Sequence, residues 1–197
     1  MRRTALWLIS ACLMPLLLAG CALPRMIDSD VNSYTGTSPA VSGATYRFER
    51  LPSQKDSARQ GQLEMLTAQA LNAAGLKPDA VHPRYAVQVE LQIDQFYRAP
   101  QYRPRASIFL GTDRFFWGAQ PLLMESPWYR YTVHLLLRDI ATGQMAYETS
   151  AVHEGPWADA GNLLPLILEA ALRDYPNPPP GPRKVVIELP ADGPGAR

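Results

Sequence analysis

The sequence predicts an α+β fold: a largely antiparallel sheet of about five strands with two helices packed on one face. Three observations carry this. Residues alternate apolar and polar over Tyr85–Tyr97 and again over Trp128–Arg138. Two stretches, Gln54–Gly75 and Asp159–Tyr175, repeat apolar residues at helical spacing instead. Their order along the chain is strand, helix, several strands, helix, strand.

Each element has its own signal. In Thr45–Leu51, Tyr46 and Phe48 alternate with Arg47 and Glu49, which predicts a first strand that Pro52 ends. Ser53 is a candidate cap for the helix that follows. In that helix Leu63, Leu66, Thr67, Ala70, Leu71 and Ala74 form one face, and Arg59, Gln60, Gln62, Glu64 and Gln69 the wet one. Gly75 and Pro78 stop it. The next strand turns Tyr85, Val87, Val89, Leu91 and Ile93 one way and Gln88, Glu90, Gln92 and Asp94 the other. Tyr129, Tyr131, Val133, Leu135 and Leu137 share a face of the strand after it, opposite Arg130, Thr132, His134 and Arg138. Asp139–Gly143 reads as a turn with Gly143 at positive φ. Met145, Tyr147, Thr149 and Ala151 then form the return strand. Matched faces set Leu135 near Tyr147 and His134 near Glu148, with room for a bulge. Leu163, Leu164, Ile167, Leu168, Ala171 and Leu172 stripe the second helix, which Asp159 or Asn162 caps. Pro165 fits the first turn only with Asn162 as cap. A proline-rich connector, 176–182, leads to a last strand, Lys184–Leu189.

The ends predict an address. Arg2 and Arg3 precede an uncharged apolar run, Ala5–Gly20, too short to span a bilayer as a permanent helix. Residues 1–20 therefore read as a signal peptide. Leu18-Ala19-Gly20-Cys21 looks like a bacterial lipobox, in which the Cys21 thiol receives a diacylglycerol. Residues 21–44, rich in Ser, Thr, Gly and Asp, read as the lipidated N-terminus and a flexible tether, with a short edge strand near 31–34. The single domain is expected over 45–190, and 191–197 as a disordered tail. Cys12 leaves with the signal and Cys21 is acylated, so the mature domain has no thiol for a disulfide. Two or more acyl chains on Cys21 make a stable membrane anchor. Ala22, where aspartate would retain a lipoprotein in the inner membrane, favours the outer membrane and a periplasm-facing domain. Lys and Arg number 19, Asp and Glu 18, and the leader removes Arg2 and Arg3. That near-neutral balance argues against nucleic acid as a partner.

Catalytic signals are weak. His82, His134 and His153 have no metal-ligand spacing, so surface or turn histidines are expected, and no metal or cofactor. No nucleophile elbow or phosphate loop is present, and no catalytic residue is assigned. The carboxylate pairs Asp28/Asp30 and Glu148/Glu154 read as solvated faces. Phe96–Tyr131 is different: ten aromatic residues are interleaved with Arg98, Arg103, Arg105, Arg114 and Arg130, against only Asp113 and Glu125. This is either one more strand near Ala106–Leu110 with solvated arginines, or a partner or ligand surface. Arg98, Arg103, Arg105, Trp117 and Trp128 are its candidate binding residues.

The lipobox, GATYRFERLPSQ, QGQLEMLTAQALNAAG, YAVQVELQ, RDIATGQMAYETSAVHEG and AALRDYPNPPPGPRKV resemble the Gram-negative lipoproteins with the domain of unknown function 4136. The resemblance covers most of residues 21–189. It implies an outer-membrane or periplasmic lipoprotein with a compact α/β domain, and it carries no catalytic residue over; only Cys21 transfers. Three functions stay open: a non-catalytic module binding an envelope protein, glycan or lipid head group; an envelope hydrolase acting on wall or lipid with His134, Glu148 and Glu154; and a structural lipoprotein without a specific ligand.

Overall fold

The computed structural model describes residues 26–37, 40–55, 57–97, 109–110, 115–116 and 127–188. Nine strands and two α-helices lie among them: β1 Met26–Thr35, β2 Thr45–Phe48, α1 Ala58–Ala73, β3 Lys77–Pro78, β4 Tyr85–Phe96, β5 Phe109–Leu110, β6 Phe115–Phe116, β7 Trp128–Asp139, β8 Met145–Gly155, α2 Ala160–Leu172 and β9 Arg183–Glu188. A 3-10 helix, Pro52–Gln54, follows β2. The α+β expectation holds, with a correction to the sheet. It has seven strands, not about five, in the order β3-β2-β4-β7-β8-β1-β9, and β5-β6 is a separate two-stranded ladder. Only β2 runs parallel to its neighbours β3 and β4; the other pairs are antiparallel.

The tether is the second correction: the short strand expected near 31–34 is present but longer, and it is interior to the sheet rather than at its edge. Met26–Thr35 is a ten-residue strand inserted between β8 and β9. Its inward positions are Ile27, Ser29, Val31 and Ser33, all buried. Of the two serines, Ser33 tolerates burial through a hydroxyl partner, whereas the buried Ser29 hydroxyl has no hydrogen-bond partner among the described residues. Ser33 Oγ lies 2.8 Å from Thr149 Oγ1, so polar inward positions hide the strand's alternation without exposing it to water.

The core lies between one sheet face and the two helices. Val87, Val89, Val133, Leu135, Leu137, Tyr131, Tyr147 and Ala151 supply the sheet side, and Leu63, Leu71, Leu163, Ile167 and Leu168 the helix side. α1 covers β3 and β4; α2 covers β8, β1, β9 and β7. Burying a side chain such as Leu or Ile stabilises by roughly 1.5–3 kcal/mol, so these stripes decide the face on which the helices settle.

Polar contacts fix how each helix sits. Ser57, not Ser53, caps α1, its hydroxyl accepting from the Gln60 amide. Gln60 and Glu64 are buried rather than wet. Gln60 Nε2 donates to the Val89 carbonyl at 3.1 Å. Arg50 Nε and Nη2 each donate to a Glu64 carboxylate oxygen at 2.7 Å, a bidentate pair that ties α1 to the exit of β2. Asp159 caps α2, and Pro165 sits beyond the first turn. At the other end Thr149 Oγ1 and Tyr147 Oη donate to the Ala171 carbonyl at 3.0 and 3.5 Å.

The β7–β8 hairpin is displaced by two residues from the expected register. Leu137 faces Tyr147, Leu135 faces Thr149 and His134 faces Ser150, with an irregularity at Leu137/Arg138. A shift of two leaves every side chain on its expected face. Gly143 has φ +70° as the turn requires.

Candidate functional site

Both helices lie on one face, so the other face of β4, β7, β8 and β1 has no helical layer among the described residues. Its side chains are the outward set of each strand. They are largely polar and organised by register. Arg130 binds Glu154 across the hairpin at 2.6 Å. Lys184 reaches Asp28 at 3.0 Å and Asp30 at 3.2 Å. Arg138 Nη2 donates to Glu49 at 2.6 Å, and Gln88 Nε2 to the same carboxylate oxygen at 3.3 Å. The Lys184 hydrogen bond holds the Asp28 carboxyl below its ordinary value. The Arg138 hydrogen bond does the same for Glu49.

Between these pairs lies a concavity of about 320 Å³ lined by Leu51, Gln54, Gln88, Val89, Glu90, His134, Leu135, Leu136 and Glu148. Strand register builds its floor. Glu90 stands directly opposite His134 on β7, and Leu136 opposite Glu148 on β8. His134 and Glu148 are then diagonal neighbours, about 7–8 Å apart at Cα in such ladders. The chain leaving β2 as a 3-10 helix brings Leu51 and Gln54 to the rim. The result is an apolar floor and wall, from Leu136 and Leu51, beneath two carboxylates, an imidazole and two amides. Such a set donates and accepts hydrogen bonds in many directions, as recognition of a polyhydroxyl or amide-bearing ligand requires.

The candidate residues divide. His134 and Glu148 come together here, while Glu154 is held by Arg130 elsewhere on the face. Glu90, Gln88, Leu51 and Gln54 join the site unannounced. The outward side of β4 is legible from its alternation, but its pairing with His134 depends on register, which residue types do not specify. His153 corrects the surface-histidine reading: it is buried, with Nδ1 2.6 Å from the Asp28 carbonyl oxygen. That contact requires Nδ1 to carry the proton, and places His153 on the helix-covered side, away from His134. Trp128 opens β7 opposite Phe96, and Arg130 lies over the Phe96 ring at 5.3 Å. Cys21, Arg98, Arg103, Arg105 and Trp117 lie outside the described residues. Among the described residues, no group of three or more His, Cys, Asp or Glu can hold a metal ion. No helix there is long and apolar enough to cross a membrane.

An α+β fold whose sheet has two helices on one face and, among the described residues, none on the other is the class these features define. The family model described as "Domain of unknown function (DUF4136)" matches residues 29–177. The chain belongs to that family. No curated protein matches it. Among solved structures it is similar to a PDZ domain protein from Parabacteroides distasonis, with a TM-score of 0.51 and 14% identity over 83% of this chain. The chain spans 38% of that protein, and the likeness is one of fold. Two PelC dodecamer structures from Paraburkholderia phytofirmans match at TM-scores of 0.44 and 0.46. Their identities are 13% and 10%, each over 77% of this chain and 99% of the other.

Proposed function

We propose that this protein is a lipid-anchored envelope lipoprotein, acylated on Cys21 and facing the periplasm from the outer membrane, whose domain is a non-catalytic binding module. The observation that carries the binding role is the open sheet face with its concavity. Among the described residues no helix covers this layer of hydrogen-bonding side chains over an apolar floor, while the apolar core lies on the other side of the sheet. Glu90 and His134 are exposed, and a catalytic acid–base pair works best where water is excluded. Recognition of a polar envelope component, a glycan or a protein loop, fits the site better than hydrolysis. The arginine and aromatic residues Arg98, Arg103, Arg105 and Trp117 form the competing candidate surface for the same partner.

The test is an in-cell crosslink and pull-down with the tagged chain beside two variants. One carries His134→Ala and Glu148→Ala, the other alanine at Arg98, Arg103, Arg105 and Trp117. A specific partner lost only in the first variant is the expected result. Loss only in the second moves the site to the aromatic, arginine-rich stretch within Phe96–Tyr131. No partner in any form, or wall-hydrolysing activity abolished by His134→Ala, overturns the binding module. The mass of the purified mature chain reads acylation of Cys21 independently.

A further inference from the structure

The strands of the sheet share two ends. At one lie the first residue of β1, Met26, the last of β4, Phe96, the first of β7, Trp128, and the last of β8, Gly155. The opposite end carries the Asp139–Gly143 turn. The first end is rich in exposed apolar and aromatic side chains: Tyr97 is 68% exposed, Met26 56% and Trp157 39%. Ile93 is exposed beside them, and Phe96 and Trp128 face each other across β4 and β7. Tyrosine and tryptophan on an exposed end, with apolar neighbours, are the side chains that partition to a membrane–water interface.

The start of β1 gives that end a position. Only residues 22–25 separate Cys21 from Met26. Fully extended, that stretch reaches at most about 18 Å. A twelve-residue strand such as β7 is about 40 Å long at about 3.3 Å per residue. A lipid on Cys21 therefore holds the Met26 end close to the bilayer and the Asp139–Gly143 end far from it. The open face is a poor alternative contact. Its Asp28, Asp30, Glu49, Glu90, Asp94, Glu148 and Glu154 outnumber its Lys184, Arg47, Arg130 and Arg138, so lying flat would press a net negative face on anionic head groups.

We propose that the end of the sheet bearing Met26, Tyr97 and Trp157 rests on the phospholipid surface, so that the domain stands on its strand ends with its open face clear. This rests on the reading of Cys21 as lipidated. Trp157 and Tyr97 sit at head-group depth, and the concavity projects sideways into the periplasm.

The test uses the full mature chain in phosphatidylethanolamine and phosphatidylglycerol vesicles with brominated acyl chains, after mass spectrometry of its N-terminus. A Trp117→Phe, Trp128→Phe variant leaves Trp157 as the reporter. A second variant replaces all three tryptophans by Phe and adds Ile140→Trp at the far turn. At least a twofold stronger quenching of Trp157 than of the far-end tryptophan is expected. In the unsubstituted chain, hydrogen exchange at residues 93–97 and 155–157 should slow on vesicles relative to detergent. Equal or absent quenching, with exchange unchanged, overturns the docking while an acylated Cys21 keeps the lipoprotein reading intact. An unmodified Cys21 overturns both.

Discussion

Thr149→Val tests how the second helix is held. Thr149 is fully buried, and its hydroxyl both contacts Ser33 Oγ at 2.8 Å and donates to the Ala171 carbonyl at 3.0 Å. That carbonyl lies in the last turn of α2, where the helix has no further amide to offer it. The next bonds in this turn run from Arg173 to Ala170 and from Tyr175 to Leu172, and bypass it. Tyr147 Oη, at 3.5 Å, is its weaker remaining donor. Valine keeps the shape, so no cavity forms and the loss is polar. Ser33 can still accept from Arg183 Nη2 at 3.4 Å, so the cost falls mainly on the Ala171 oxygen. An unsatisfied buried acceptor costs about 1–3 kcal/mol. At about 2–4 °C per kcal/mol for a chain of this size, Tm should fall by roughly 4–8 °C for a loss near 2 kcal/mol. The assay is thermal and urea unfolding of the mature chain in detergent by circular dichroism. Thr149→Ser is the control: it keeps the hydroxyl and loses a buried methyl, at about 0.5–1.5 kcal/mol. A valine variant within about 0.5 kcal/mol of the parent, or one no worse than serine, would refute the reasoning.

The remaining predictions concern pH, backbone crowding and the open face. Asp28 and Glu49 have carboxyls held below their ordinary values by Lys184 and Arg138. Their stabilisation is therefore present above the ordinary carboxylate range and is lost as pH falls through the lowered values. Melting temperature should drop below about pH 4, and less steeply for Glu49→Gln. Burial pushes the hydroxyls of Tyr46, Tyr131, Tyr147 and Tyr175 up. Their contribution is complete below the ordinary tyrosine value of about 10 and falls as pH rises beyond it. Tyrosinate absorbance at about 295 nm should then appear together with loss of circular dichroism; ionisation of these four in an intact fold would contradict their burial. Gly36→Ala would set a Cβ 1.7 Å from the Met145 carbonyl oxygen, a backbone clash expected to cost about 3 kcal/mol or more in urea unfolding. His134→Ala with Glu148→Gln should alter stability by less than about 0.5 kcal/mol per site, because the open face is no part of the core; a larger loss would mean the concavity is structural.

Legibility in the sequence follows the chemistry of the inward positions. β4 and β7 announce themselves because Val87, Val89, Val133, Leu135 and Leu137 are apolar without exception. β1 does not. Its inward Ser29 and Ser33 alternate with Ile27 and Val31, and its outward Asp28, Asp30 and Asn32 are polar too, so a buried strand resembles a tether. Burial of Ser33 is made possible by Thr149, a residue of another strand, and pairwise compensation of that kind leaves no mark on either segment. Gln60 and Glu64 pass for wet positions for the same reason: their partners are the Val89 carbonyl and Arg50. The site is half legible. Outward His134, Glu148 and Glu90 each fall on the correct face by period alone. Their assembly depends on the hairpin register, which lies two residues from the expected one, and on the turn of chain that carries Leu51 and Gln54 to the rim.

The place of β1 between β8 and β9 has a consequence for how the chain reaches this structure. Asp30 pairs with Val152 and with Lys184, so both edges of this strand are completed by segments more than a hundred residues away. Closing such long loops precedes any gain from the contacts they allow, and topologies of this kind fold slowly. A chain emerging N-terminus first exposes β1 from the outset and cannot bury Ile27 or Val31 until nearly everything else has arrived. The slowest event in building this domain is then the capture of its earliest strand. A truncation before Arg183 should leave that strand with a single neighbour and an unfinished edge.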